Sequence, residues 1–164
     1  CPALAYPGAM MPKPVTVERI IPAPAEKIFD LLADPAGHAR IDGSGTVTAA
    51  RSGGRRLANG DSFGMNMQWG VGYSTRNLVV EFEENRRIAW RTLAPNPVLS
   101  RLFTGRTWRY ELEPVAAGTL VRETWDPTTE ALPGRALLGR LSELTQRNMA
   151  ATLVRIEEIV TAEG

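Results

Sequence analysis

The end of the chain constrains its fold most. From Pro133 to Ala162, Leu137, Leu141, Leu144, Met149, Leu153, Ile156 and Val160 recur at helical spacing, which predicts one long amphipathic helix. Roughly eighty residues of short alternating strands and turns precede it. A helix after an antiparallel meander can bury its apolar stripe only by lying across the sheet. If that sheet curves, the space between them is a cavity.

The earlier elements fit this plan. Val15–Ile21 is β-rich and bounded by prolines, so it reads as the first strand. A helix follows from Pro24, which suits a first helical position, and buries Ala25, Ile28, Phe29 and Leu32. Pro35 stops it, with a short second helix around 35–40. Thr46–Arg51 reads as a strand closed by Ser52-Gly53-Gly54, and Asn59-Gly60 marks another turn. Phe63, Met65, Met67 and Trp69 then alternate with Gly64, Asn66, Gln68 and Gly70, the clearest period of two in the chain. Gly70 and Gly72 read as a bend or bulge. Tyr73–Glu84 and Arg87–Leu93 form a hairpin around Asn85, and Thr107–Glu113 and Thr119–Asp126 form the last, joined through Pro114–Gly118. The alternation puts Ile88, Trp90, Trp108, Tyr110, Leu112, Val121, Glu123 and Trp125 on one face. Arg91, Arg109, Glu111, Arg122 and Thr124 fall on the other.

Strand, helix pair, six-strand meander and long helix make a specific order. Val15–Asp34, Gly60–Met67, Val79–Arg91, Trp108–Pro114 and Gly118–Asp126 resemble the START-like (SRPBCC) superfamily, in particular its bacterial polyketide cyclase/dehydrase and lipid-transport subgroup. The resemblance covers residues 14–162 and implies an α+β helix-grip fold like that of the birch-pollen allergens. Such a fold is a curved antiparallel sheet of about seven strands wrapped around a long C-terminal helix, with two short helices after the first strand. It also implies a pocket for a hydrophobic or amphipathic small molecule. The superfamily has no universal catalytic signature, so fold alone does not deliver function.

Residues 1–13 are expected to be a disordered extension outside the domain, since Gly8-Ala9-Met10 looks like a cloning remnant. Cys1 as the acylated terminus of a lipoprotein is the alternative. As the sole cysteine it forms no internal disulfide, which fits a cytoplasmic location. A net charge of +1 with no long basic run argues against nucleic acid as a partner, and Arg55-Arg56 and Arg86-Arg87 read as solvated hairpin ends. No apolar run is long enough to span a bilayer. Monomer and homodimer both remain open.

By the resemblance, the cavity walls would be Met65, Met67, Trp69 and Trp90, then Trp108, Tyr110, Glu123 and Trp125, with Leu144, Asn148 and Met149 from the helix. Rings and thioethers suit flat, greasy ligands; the alternative is that they fill the core. Glu123, among apolar neighbours, should have a raised pKa and could serve as acid or donor, unless an arginine pairs with it or a bulge turns it outward. His38 near Asp42 could be a general base, but a rim loop with His38 facing solvent and Asp42 making a turn bond is favoured. Glu123, Tyr110 and His38 are therefore the catalytic candidates. A lone histidine makes a metal site very unlikely, and no cofactor is expected. Gly43-Ser44-Gly45 is no phosphate loop, and no nucleophile elbow indicates a serine hydrolase. Between Ala94 and Arg106, Val98, Leu99, Leu102 and Phe103 share one side of a possible short helix, which could be a lid, a dimer contact or plain packing.

The expected function is to bind, and possibly transport, a small hydrophobic or aromatic compound such as a lipid or polyketide. A polyketide aromatase/cyclase or dehydratase is the alternative, and a co-chaperone-like interaction module the third. A filled core without a cavity would favour the last.

Overall fold

The structure, a computed structural model, describes residues 12–45, 47–50, 55–96, 98–101, 104–131 and 134–163. Seven strands occur among the described residues: β1 (Val15–Ile21), β2 (Val47–Ala50), β3 (Ser62–Trp69), β4 (Val71–Glu83), β5 (Arg87–Leu93), β6 (Arg106–Val115) and β7 (Gly118–Asp126). The helices are α1 (Ala25–Ala33), α2 (Pro35–Ile41), α3 (Gly134–Gly139) and α4 (Ser142–Ala162). All strands join one sheet in the order β1-β7-β6-β5-β4-β3-β2, each antiparallel to its neighbours. β2 to β7 form the meander, and β1 closes it by pairing with β7 from Val15↔Trp125 to Ile21↔Thr119. This is the α+β helix-grip architecture that the sequence implied.

The core fills the end of the grip near β1. Ile28, Phe29 and Leu32 of α1 pack with Ile21, Ile88, Leu112 and Val121 from the sheet, and Leu153, Ile156 and Val160 of α4 complete it. Phe29 and Phe82 meet edge to face, with centroids 5.3 Å apart. Two glycines permit close approaches here. A Cβ on Gly118 would lie 2.1 Å from the Ile21 carbonyl oxygen, and its φ of 138° is one that L side chains rarely adopt. A Cβ on Gly43 would lie 2.5 Å from both the Asn148 oxygen and the Thr152 nitrogen, so the loop after α2 sits directly on α4. The Gly43 N–H donates to Thr152 Oγ1 at 2.9 Å.

Three local expectations need correction. The terminal helix is not continuous: α3 ends at Gly139 and α4 begins at Ser142. Glycine costs about 1 kcal/mol relative to alanine inside a helix, and the Ser142 hydroxyl donates to the Gly139 oxygen, satisfying a carbonyl at the break. Gly70 is no bulge but the reversal point of the β3–β4 hairpin, with φ 73° and Trp69 paired to Val71 across it. The bulges lie between Val47 and Ala49 and between Val79 and Glu81. Pro24 is the N-cap of α1, one residue before the first helical position. Thr46, 51–54 and most of the N-terminal extension lie outside the described residues.

The outer face of the sheet is ionic. Arg109 grips Glu81 through Nε at 3.0 Å and Nη2 at 2.5 Å, and Arg122 donates to Glu18 and Glu113. Arg56 bridges Asp30 and Glu84, while Arg86 and Arg87 pair with Glu83. Partners of this kind are enough to account for both arginine pairs as surface features.

Candidate functional site

The inner face of the sheet, α2, α3 and the first half of α4 border a half-open cavity of about 250 Å³. Strand register explains its wall. Trp90, Trp108 and Trp125 are direct cross-strand neighbours on β5, β6 and β7, and Tyr110 pairs with Glu123 in the next row. The cavity is lined by Met65, Met67, Trp90, Trp108, Tyr110, Glu123 and Trp125 from the sheet, and by Leu144, Asn148 and Met149 from α4. The side chain of Trp69 lies outside the described ones. Leu144 is 48% exposed, so it edges the cavity mouth instead of sitting in the core.

The rings form a connected series. Trp90 stacks on Tyr110 with centroids 5.6 Å apart and on His38 at 4.7 Å, and Phe63 meets both His38 and Trp90 edge to face. Trp108 and Trp125 lie 6.3 Å apart.

Glu123 is 2% exposed. No arginine pairs with it and no bulge turns it outward: the Tyr110 hydroxyl donates to Oε1 at 2.8 Å, and Oε2 has no partner. Burial pushes its carboxyl up to about 8; the Tyr110 hydrogen bond opposes the rise and the Asp42 charge adds to it. At neutral pH the carboxyl is therefore mostly protonated. Burial, with the adjacent Glu123, also pushes the Tyr110 phenol well above its usual value. The pair is a neutral donor–acceptor unit on the cavity wall.

His38 does not face solvent as expected. It is buried, with Nε2 donating to the Leu32 oxygen at 2.7 Å. Burial lowers its pKa, against the raising effects of that bond and of Asp34, so the ring is neutral and Nδ1 is left as an acceptor. Trp90 holds it from the sheet side, a tertiary contact with no local signature. Asp42 makes the expected turn bonds, accepting from the Ser44 N–H and Oγ and from the Val47 N–H.

Sequence reasoning missed several lining residues, among them Tyr73, Thr75 and Asn77 on β4, Thr92 on β5 and Arg106 on β6, and others such as Ile41 and Leu138 on the helices. The same period of two that selected Trp90 and Trp108 extends to Thr92 and Arg106, so the signal was present. Val98 and Leu99 stand exposed at 68% and 44% and do not line the cavity. Among the described residues the segment forms a 3-10 turn at Leu99–Arg101; Leu102 and Phe103 lie outside them. Among the described residues no group of three or more His, Cys, Asp or Glu could hold a metal ion, and no helix is long and apolar enough to cross a membrane.

The family model described as polyketide cyclase / dehydrase and lipid transport matches residues 13–161. The chain is 32% identical over 108 residues to uncharacterized protein Rv0088 of Mycobacterium tuberculosis, covering 65% of this chain and 44% of that protein. It thus spans less than half the length of this curated relative. Among solved structures it is similar to protein NE0264 of Nitrosomonas europaea, with 18% identity and a TM-score of 0.68 over 93% of this chain and 96% of that one. The di-domain ARO/CYC StfQ from the steffimycin biosynthetic pathway gives 16% identity and a TM-score of 0.65 over 92% of this chain and 51% of that one. At these identities the structural likeness is one of fold.

Proposed function

The chain belongs to the polyketide cyclase/dehydrase and lipid transport family, and on that premise we propose that it binds a small hydrophobic or aromatic molecule between the sheet and α4. One observation carries this reading: the inner tryptophans border about 250 Å³ of space between the sheet and α4. An apolar cavity of ~150 Å³ admits benzene, so this one suits a bicyclic ring system or an aliphatic chain of similar bulk. Stacked rings and thioethers supply apolar area, and the neutral Tyr110–Glu123 pair offers a polar contact that orients the guest. A cavity of this size also weighs against the co-chaperone-like reading. Val98 and Leu99, if they form a lid, act by moving over the mouth.

Native mass spectrometry of purified protein, followed by tryptophan-fluorescence titration with neutral bicyclic compounds, tests the proposal. A retained or saturably bound guest is expected. Failure of every such compound to bind would overturn it.

The Tyr110–Glu123 pair favours a second reading, polyketide cyclisation or dehydration. A carboxyl protonated at neutral pH beside a phenol can deliver a proton to a carbonyl or a departing hydroxyl of a folded chain. In that case Glu123→Gln would bind a polyketide substrate but no longer turn it over. Equal turnover by the variant would exclude Glu123 as the acid.

A further inference from the structure

Arg106 is the cation of this cavity. It opens β6, two residues before Trp108, and lines the space with a half-buried side chain. Among the described residues its guanidinium has neither a hydrogen-bond nor an ion-pair partner; the more distant Glu130 carboxylate acts on it. A guanidinium partly withdrawn from water is destabilised unless its donors are met by protein, water or a ligand. Glu130, itself buried with an unpartnered Oε1, offsets charge but fills none of the five N–H positions.

The fold fixes this residue. Gly105, with φ 93°, sits where a Cβ would lie 2.7 Å from the Thr92 oxygen. Its carbonyl accepts from Thr129 Oγ1 at 2.6 Å, and Thr104 Oγ1 donates back to the Thr129 oxygen at 2.6 Å. Arg106 therefore leaves a clamped strand end.

Its surroundings are also rich in unused donors. Thr92, directly opposite Arg106, donates to Asn77 Oδ1 at 2.7 Å, leaving Asn77 Nδ2 buried without a partner. Trp125 Nε1 is likewise unpartnered. Of the open acceptors, Glu123 Oε2 and His38 Nδ1 belong to the Trp90–Tyr110 end, while Glu130 Oε1 is on the Arg106 side but does not line the cavity. Along β6, Arg106 and Tyr110 are four residues apart, roughly 13 Å.

Resting on the ligand-binding reading, we propose that Arg106 is the head-group site of the cavity and that the ligand is an amphipathic carboxylic acid, its carboxylate on Arg106 and Asn77 and its apolar body against Trp108 and Trp125. A planar guanidinium and a carboxylate match through paired N–H···O bonds, which select an anion over a neutral group of equal size.

The test measures binding of 2-naphthoate and of its neutral counterpart 2-naphthalenemethanol by tryptophan fluorescence, in the wild type, Arg106→Gln and Arg106→Lys. The wild type should prefer the acid at least about tenfold, Arg106→Gln should bring the two within about twofold by weakening the acid alone, and Arg106→Lys should restore part of the preference. Alcohol binding as tight as acid binding in the wild type would overturn the head-group proposal while leaving the hydrophobic receptor standing. So would an acid preference that survives in Arg106→Gln. Failure of both compounds would overturn the two together. Should the variants not fold, the wild-type preference and its weakening with added salt decide the matter alone, absence of either counting against the proposal.

Discussion

Replacing Glu123 by glutamine should raise stability increasingly as pH climbs from 4.5 to about 8 and leave it nearly unchanged below about 4.5. Gln is the closest mimic of the protonated carboxyl: its oxygen still accepts from Tyr110, and its amide takes the place of the unpartnered Oε2. In the wild type the carboxyl rises from 4.5 when unfolded to about 8 when folded. Above 4.5 the unfolded chain gives up this proton while the folded chain keeps it, so stability falls as pH rises through that window and levels off above 8. Each unit of difference is worth about 1.4 kcal/mol. Integrating over the two titrations, Glu123 removes roughly 2 kcal/mol of stability at pH 6 and roughly 5 kcal/mol at pH 9. Urea melts of both proteins from pH 6 to 9 should therefore diverge by about 3 kcal/mol, the wild type being the one that weakens. Groups common to both proteins cancel in that difference. Parallel profiles would refute the argument, because they would mean that Glu123 titrates alike in folded and unfolded chains.

Tyr110→Phe removes the one hydrogen bond that lowers the Glu123 pKa, so the carboxyl midpoint, followed by infrared or carbon NMR titration, should move above about 8. His38, neutral and buried, gives an opposite limb: the unfolded chain takes up a proton below 6.5, so stability drops as solutions become more acid than that. His38→Gln, which keeps a donor for the Leu32 oxygen, should flatten this acid limb in urea melts. Gly118→Ala should cost about 3 kcal/mol or prevent folding, since the new methyl meets the Ile21 oxygen and Pro22 at a φ that alanine resists; thermal melts would show it.

Much of this molecule could be read from alternation. The parity of Trp90, Trp108, Tyr110 and Trp125 alone specified one apolar wall, and a trailing helix had nowhere else to bury Leu153, Ile156 and Val160. The same parity left Glu123 inside, and it lies there. What escaped were residues whose environment comes from distant chain. His38 is buried because Trp90 stacks on it, more than fifty residues away in sequence. Arg106 and Asn77 look like ordinary polar strand residues until the sheet curls and aligns them beside Thr92. Gly70 was ambiguous because a glycine flanked by strand-like residues serves a bulge and a reversal equally well. The break at 140–141 was hidden by an apolar rhythm that runs on across it.

The tertiary side-chain bonds of α4 and its C-cap, among the described residues, run from the helix midpoint at Thr152 to Glu163. Gly43 bonds to Thr152, Arg155 to the Arg40 oxygen, Arg19 to Glu157 and Arg40 to Glu163. Its first half contributes Leu144, Thr145, Asn148 and Met149 to the cavity, and Thr152 at the midpoint belongs to both groups. One helix thus divides its labour, with a fastened half that secures the architecture and a leading half that shapes the guest's berth. Substitutions at those leading positions can retune which molecule is accommodated while the fastened half keeps the chain folded, a route by which one scaffold can diversify its chemistry in small steps.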